Sequence, residues 1–136
     1  MSDKFIKPFF LIAALYDGVL GIAFILAPAS IFAMFAVEPP NHMAYVQFPA
    51  LLLILFAIMF YRIAVDPLRN RDLILYGCGL KVSYCSVAFW YELTTGVPSM
   101  WMPWAWIDLI FLVLFIISWK SLGKQSAAAA DSRPRV

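Results

Sequence analysis

Apolar residues run almost unbroken through four stretches of the chain, at about 8–27, 44–64, 73–93 and 101–119, with turn-forming residues between them. Each stretch is about 20 residues long, the length a helix needs to cross a hydrocarbon core. Residues 51–56 are all Leu, Ile or Phe, whereas a membrane β-barrel strand alternates apolar and polar positions. The breaks carry Pro28, Pro39, Pro40, Asn41, Asp66, Pro67, Asn70, Gly96 and Pro98. Proline removes a backbone donor and disfavours helix in the residue before it. Pro49 lies one turn inside the second stretch; membrane helices tolerate it there because neighbours satisfy the freed carbonyl. The pattern predicts an all-α polytopic membrane protein, a four-transmembrane-helix bundle over residues 8–120. A short N-terminal segment, 1–7, precedes it, and residues 121–136 read as a disordered basic tail that can lie on anionic lipid.

Composition closes off the other classes. The 136 residues are 64% hydrophobic and 13% charged, against about 45–50% and about 25% in a soluble domain. So short a chain cannot hide that much apolar surface from water, nor is it disordered. Cys78 and Cys85 lie two turns apart, about 10 Å along one helix, so they cannot pair with each other. They read as small buried hydrophobes.

Charge then orients the bundle. Lys4 and Lys7 precede the first span, Arg62, Arg69 and Arg71 lie around the connection between the second and third, and Lys120, Lys124, Arg133 and Arg135 follow the fourth. The other two connections have no Lys or Arg. The positive-inside rule places both termini in the cytoplasm and the protein in the cytoplasmic (inner) membrane. The basic residues are thus membrane flanks, and nucleic acid is not implied. Arg69 and Arg71, beside Asp66 and Asp72, read as solvated turn charges. On the opposite face Trp90, Tyr91, Trp101, Trp104 and Trp106 mark the headgroup zone. Ser30 reads as the N-cap of a short interfacial helix, with an apolar loop packed on the bundle as an equal reading. Ala27-Pro28-Ala29 resembles a signal-peptide cleavage site, but the apolar run before it is too long and is interrupted by Asp17.

Three ionisable residues fall inside spans: Asp17, Lys81 and Asp108. Each costs about 2.5–3.5 kcal/mol at a helix centre if nothing compensates it. At 1.5 Å per residue, Asp17 and Lys81 lie about 13 and about 12 Å from the cytoplasmic start of their spans, and Asp108 about 16 Å from the cytoplasmic end of its own. All three come out near the midplane. A lysine with two carboxylates at one depth predicts a buried polar cluster, which favours a shared proton. Two readings stand: a structural salt bridge that fixes helix order, or a proton, ion or cofactor site. Ala13, Ala14, Asp17, Gly18 and Gly21 form a small-residue face suited to close helix approach. Tyr84 adjoins the cluster, Trp104 gives Asp108 an aromatic neighbour, and Gln47 with Tyr45 could complete a polar entrance.

Catalytic and metal constellations are not visible. His42 is the only histidine and reads as a solvated loop residue, so neither a multi-histidine metal site nor bis-histidine haem ligation can form within the chain. Ser83 and Ser86 have no histidine partner for a hydrolase triad.

The span region from Phe9 to Trp119 resembles the small four-helix bacterial membrane proteins related to DoxX. The likeness rests on Tyr16-Asp17-Gly18-Val19-Leu20-Gly21, the apolar second span ending near Asp66-Pro67, the turn Arg69-Asn70-Arg71 and a lysine in the third span. It implies an accessory membrane subunit associated with quinone, thiol or oxidative-stress chemistry, with quinone as the cofactor class, and assigns no catalytic residue. The leading reading is therefore an accessory or interaction subunit, redox- or quinone-linked, in contact with lipid and with a membrane protein partner or further copies of itself. The alternative is a small oligomeric transporter or proton-coupled permease using the Asp/Lys cluster. An intramembrane enzyme ranks last, because nothing supplies an oriented nucleophile.

Overall fold

The computed structural model describes residues 3–131 and, among them, is helical with no strand. Five helices follow in order: α1 Asp3–Leu26, α2 Pro28–Met34, α3 Ala44–Val65, α4 Leu73–Thr94 and α5 Met102–Asp131, with a 3-10 turn at Ser99–Trp101 before α5. All but the short α2 are long and apolar enough to cross a membrane. Large apolar side chains such as Leu15, Val19, Leu55, Ile58 and Val113 point outward. This inversion of a soluble protein's surface suits lipid chains. The end where α1 begins is called terminal below, and the end carrying α2 and the 3-10 turn is called distal.

The helices pair as α1 with α3 and α4 with α5. Small residues bring α1 and α3 together: a Cβ on Gly21 would come within 2.7 Å of the Ala50 carbonyl oxygen and 2.9 Å of the Ile54 side chain. The two pairs meet across larger side chains. In the terminal half the rings of Phe10, Phe60 and Phe115 pack together with centroids 5.0–6.1 Å apart, Phe10 and Phe115 stacked and Phe60 tilted against both. Ile6, Ile63, Ile74 and Leu122, all fully buried, complete this core. A smaller distal cluster joins Phe24, Phe32, Ala50 and Met100. Between the two lies the level of Asp17, Lys81 and Asp108.

Local details depart from the sequence reading at three places. Ser30 does not cap α2: the helix starts at Pro28, after Ala27, and no side chain bonds its first N–H groups. Proline suits that position, because its missing N–H has no partner there in any case. The region read as a disordered tail from 121 is helical through Asp131, so α5 runs well past the apolar stretch. Ala127–Ala130 are strong helix formers that extend a helix already nucleated by packing. Residues 132–136 lie outside the described residues. Arg71 is no solvated charge: its Nε donates to the Trp119 carbonyl at 2.9 Å, and its guanidinium lies 4.2 Å from the Trp119 ring centroid. Gly123 leaves room for it, since a Cβ there would meet Arg71 Nη2 at 2.7 Å. The arginine thus ties the α3–α4 turn to α5 at the terminal end.

His42 also has a structural job, its Nδ1 accepting from the Ala44 N–H at 3.1 Å as α3 begins. Ala36, at φ 52°, turns the chain after α2 back toward the bundle. A left-handed conformation at alanine is strained by about 1–2 kcal/mol, and it delivers Val37, Glu38 and Pro39 to the region described next.

Glycine substitutions test the close approach. Gly21→Leu should destabilise the protein by about 1–3 kcal/mol through overpacking. Gly79→Ala, where a Cβ meets nothing within 4 Å, should be neutral or stabilising by up to about 1 kcal/mol. Thermal unfolding of the two variants in the same detergent checks the contrast.

Candidate functional site

Three helices bring the charged residues together. Asp17 sits midway along α1, Lys81 midway along α4 and Asp108 two turns into α5. α1 and α4 run the same way and α5 runs back, and the contacts among the three side chains put them at one depth. The Lys81 ammonium donates to Asp17 Oδ1 at 2.8 Å and Oδ2 at 3.2 Å. It also stands 2.9 Å from Asp108 Oδ1. Lys81 and Asp17 are each 1% exposed.

The two carboxylates are not held alike. Asp17 receives directed hydrogen bonds from Lys81. The Asp108 contact is an ion pair at 2.9 Å, and its buried Oδ1 has no further donor among the described residues. The rings of Tyr16, Phe60 and Phe111 surround the ammonium, with centroids at 5.2, 5.9 and 5.5 Å. Aromatic faces stabilise a cation through their quadrupole, by about 2 kcal/mol when the contact is desolvated.

Above this cluster, between the helix pairs at the distal end, opens a cavity of about 690 Å³. Asp17 and Asp108 contribute to its wall at the deep end. Tyr16, Tyr84, Trp101 and Trp104 line it with Phe24, Phe32 and aliphatic residues, and Pro49 is part of the α3 side. Val37, Glu38, Pro39, Pro40 and Tyr45 line it at the mouth. Lys81 is absent from the wall, being covered by its two partners. Tyr84 donates its hydroxyl to the Trp101 carbonyl at 2.9 Å, which fixes α4 against the 3-10 turn. Trp104 packs on Tyr16 at 6.0 Å between centroids, and Trp101 stacks on Phe24 at 5.8 Å.

The sequence-derived residues therefore divide. Asp17, Lys81 and Asp108 come together, and Tyr84 and Trp104 join them through the cavity wall. Gln47 does not: its amide donates to the Ile25 carbonyl at 3.2 Å, tying α3 to the end of α1 outside the cavity lining. Of the five aromatics read as a headgroup belt, Trp90, Tyr91 and Trp106 are exposed, while Trp101 and Trp104 turn into the cavity. Tyr16 and Glu38 were not singled out as site residues. Tyr16 could have been flagged as the aromatic neighbour of a buried acid, whereas nothing local marks Glu38, which reaches the mouth only because the chain turns back at Ala36.

Chemically, the arrangement is a hydrophobic cavity ending in a hydrogen-bond acceptor. An ionised carboxylate accepts and cannot donate, so the deep end discriminates for a donor or a positive charge. No protein-family model, curated protein or solved structure matches the chain.

Breaking the cluster one partner at a time tests its contribution to folding. Lys81→Met leaves two buried carboxylates side by side and should lower stability by about 3–5 kcal/mol. Adding Asp17→Asn and Asp108→Asn to it removes the uncompensated charge and should recover most of the folded yield, as read by size-exclusion chromatography and thermal unfolding in detergent. A triple variant as unstable as Lys81→Met would show that the cluster does not act as one electrostatic unit.

Proposed function

We propose that the chain is a multi-pass protein of the cytoplasmic membrane, both termini inside, acting as an accessory or interaction subunit that holds a lipid-soluble ligand in its distal cavity. The observation that carries this reading is the cavity itself, apolar over most of its wall and bordered at its deep end by the carboxyl groups of Asp17 and Asp108. Its volume of about 690 Å³ falls within the roughly 300–1,000 Å³ of small-molecule sites, which combine apolar walls with a few placed polar groups. The distribution of Lys and Arg supports the orientation, and the resemblance to DoxX-related proteins supports an accessory role linked to quinone chemistry.

The acceptor at the deep end sharpens the redox-linked version. A quinone head offers only carbonyl acceptors, whereas a hydroquinone offers two hydroxyl donors. A hydrogen bond to a charged group contributes about 1.5–3 kcal/mol, so a short-tailed hydroquinone should bind roughly 10–100-fold tighter than its quinone. Calorimetric titration of the protein in lipid nanodiscs, under anaerobic conditions, measures both. Equal affinities would remove the hydrogen bond at the deep end, and affinities unchanged by Trp104→Ala would remove the cavity as the site.

One observation favours a second reading, transport. Asp108 borders the cavity, so a proton taken up by its carboxylate could exchange with a ligand. Four spans are few for a complete pathway, and that reading requires an oligomer. Native mass spectrometry of protein extracted gently from its own membrane separates the two: a stoichiometric partner supports the subunit reading, a homo-oligomer the transporter.

A further inference from the structure

The charge of the cavity goes further than its polarity. Glu38 at the mouth and Asp17 and Asp108 at the deep end contribute three carboxyl groups to the wall, and no basic side chain among the described residues contributes to it. Lys81 neutralises one of the two deep carboxylates from behind. With all three cluster groups ionised, one negative charge is left over in a place where charge is expensive, offset by a shared proton until a cation takes its place. The carboxylate that reaches the cavity is Asp108, whose side chain is 9% exposed while its buried Oδ1 turns to Lys81 at 2.9 Å. Around the path to it stand Tyr16, Tyr84, Trp101 and Trp104. A carboxylate at the end of a cavity walled by electron-rich rings is the combination that recognises organic cations, since rings and acid attract the same charge. A neutral donor would gain the hydrogen bond and leave the excess charge in place.

We propose that the distal cavity is a binding site for a monocationic amphipathic amine, its ammonium group at Asp108 and its apolar body between Trp101, Trp104 and the α3 side of the cavity. The inference rests on the cavity-binding reading above and adds the sign of the ligand's charge. An N–H on the cation matters, because a carboxylate oxygen accepts a hydrogen bond as well as attracting a charge. A lipid-soluble ammonium compound also partitions to the headgroup zone, the level at which the cavity opens, and Glu38 adds attraction at the mouth.

The test uses the full chain in nanodiscs of neutral phosphatidylcholine, with three probes: 4-phenylbutylamine, its neutral isostere 4-phenylbutan-1-ol, and a short-tailed hydroquinone. At pH 7 the amine should bind at least about 10-fold tighter than the alcohol or the hydroquinone, followed by calorimetry and by Trp101 and Trp104 fluorescence. Asp108→Asn keeps the Lys81–Asp17 pair and should bring the amine-to-alcohol affinity ratio down to about one. Glu38→Gln, at an exposed position remote from the core, should slow amine association a few-fold at low salt and not at high salt. The wild-type probe comparison needs no variant and stands even if Asp108→Asn folds poorly. Preference for the hydroquinone or the alcohol, or an amine preference that survives Asp108→Asn, overturns the cationic assignment while leaving the cavity-binding reading intact. Failure of all three probes to bind overturns both.

Discussion

Lys81 carries a full positive charge into the middle of a structure whose surroundings are hydrocarbon and aromatic rings, and it is tolerated there because two aspartates reach it from different helices. Each of the three side chains alone carries a penalty of a few kcal/mol in a membrane. Together they convert that penalty into a constraint: α1, α4 and α5 must meet at one depth and with these faces inward. Apolar packing cannot impose this by itself, because lipid chains are as apolar as leucine and give helices little hydrophobic reason to associate. The packing of Phe10, Phe60 and Phe115 on the terminal side fills the space that the charged contact defines.

The cavity follows from the same constraint. Glycine and alanine draw α1 onto α3, and α4 packs on α5, so the join between the pairs has its own geometry. On the terminal side that join is closed by phenylalanine rings and by the Arg71 contact with Trp119. On the distal side the charged layer ends, and the smaller cluster of Phe24, Phe32, Ala50 and Met100 leaves the join open. The space is left bordered by the acids that hold the helices together. Structural and functional readings of the cluster are therefore not rivals: the same Asp108 positions α5 and faces the cavity.

Depth was legible in the sequence, and direction around each helix was not. A fixed rise per residue turns the positions 17, 81 and 108 into heights, and the turn-forming residues fix where each count begins. Helical spacing puts Trp101 and Trp104 on the stripe of Asp108 and leaves Trp106 off it, but no such rule says which stripe faces inward. In a soluble helix apolar periodicity marks the buried side, but in a bilayer both sides are apolar and that signal vanishes. Gln47 failed for the same reason: its depth suited an entrance, but its amide turned to the backbone of α1. Arg71 was misread because a basic residue in a short polar turn is ordinarily solvated, and the space that receives it is made by Gly123, more than fifty positions later. The cavity, a property of how two helix pairs stand apart, has no signature in any single stretch.

The order of the chain gives the charged contact a history as well as a geometry. Asp17 belongs to the earliest made of these four spans, while Lys81 lies 64 positions later. At the roughly 5–20 residues per second of protein synthesis, the aspartate exists for about 3–13 s before its partner has been made. Asp108 comes later still. The first span must therefore enter the bilayer with its acid neutralised by a proton, held at the edge of the translocation machinery, or shielded by something other than this chain. The contact that stabilises the finished bundle is thus a hazard during its making, one that lasts until the third span arrives.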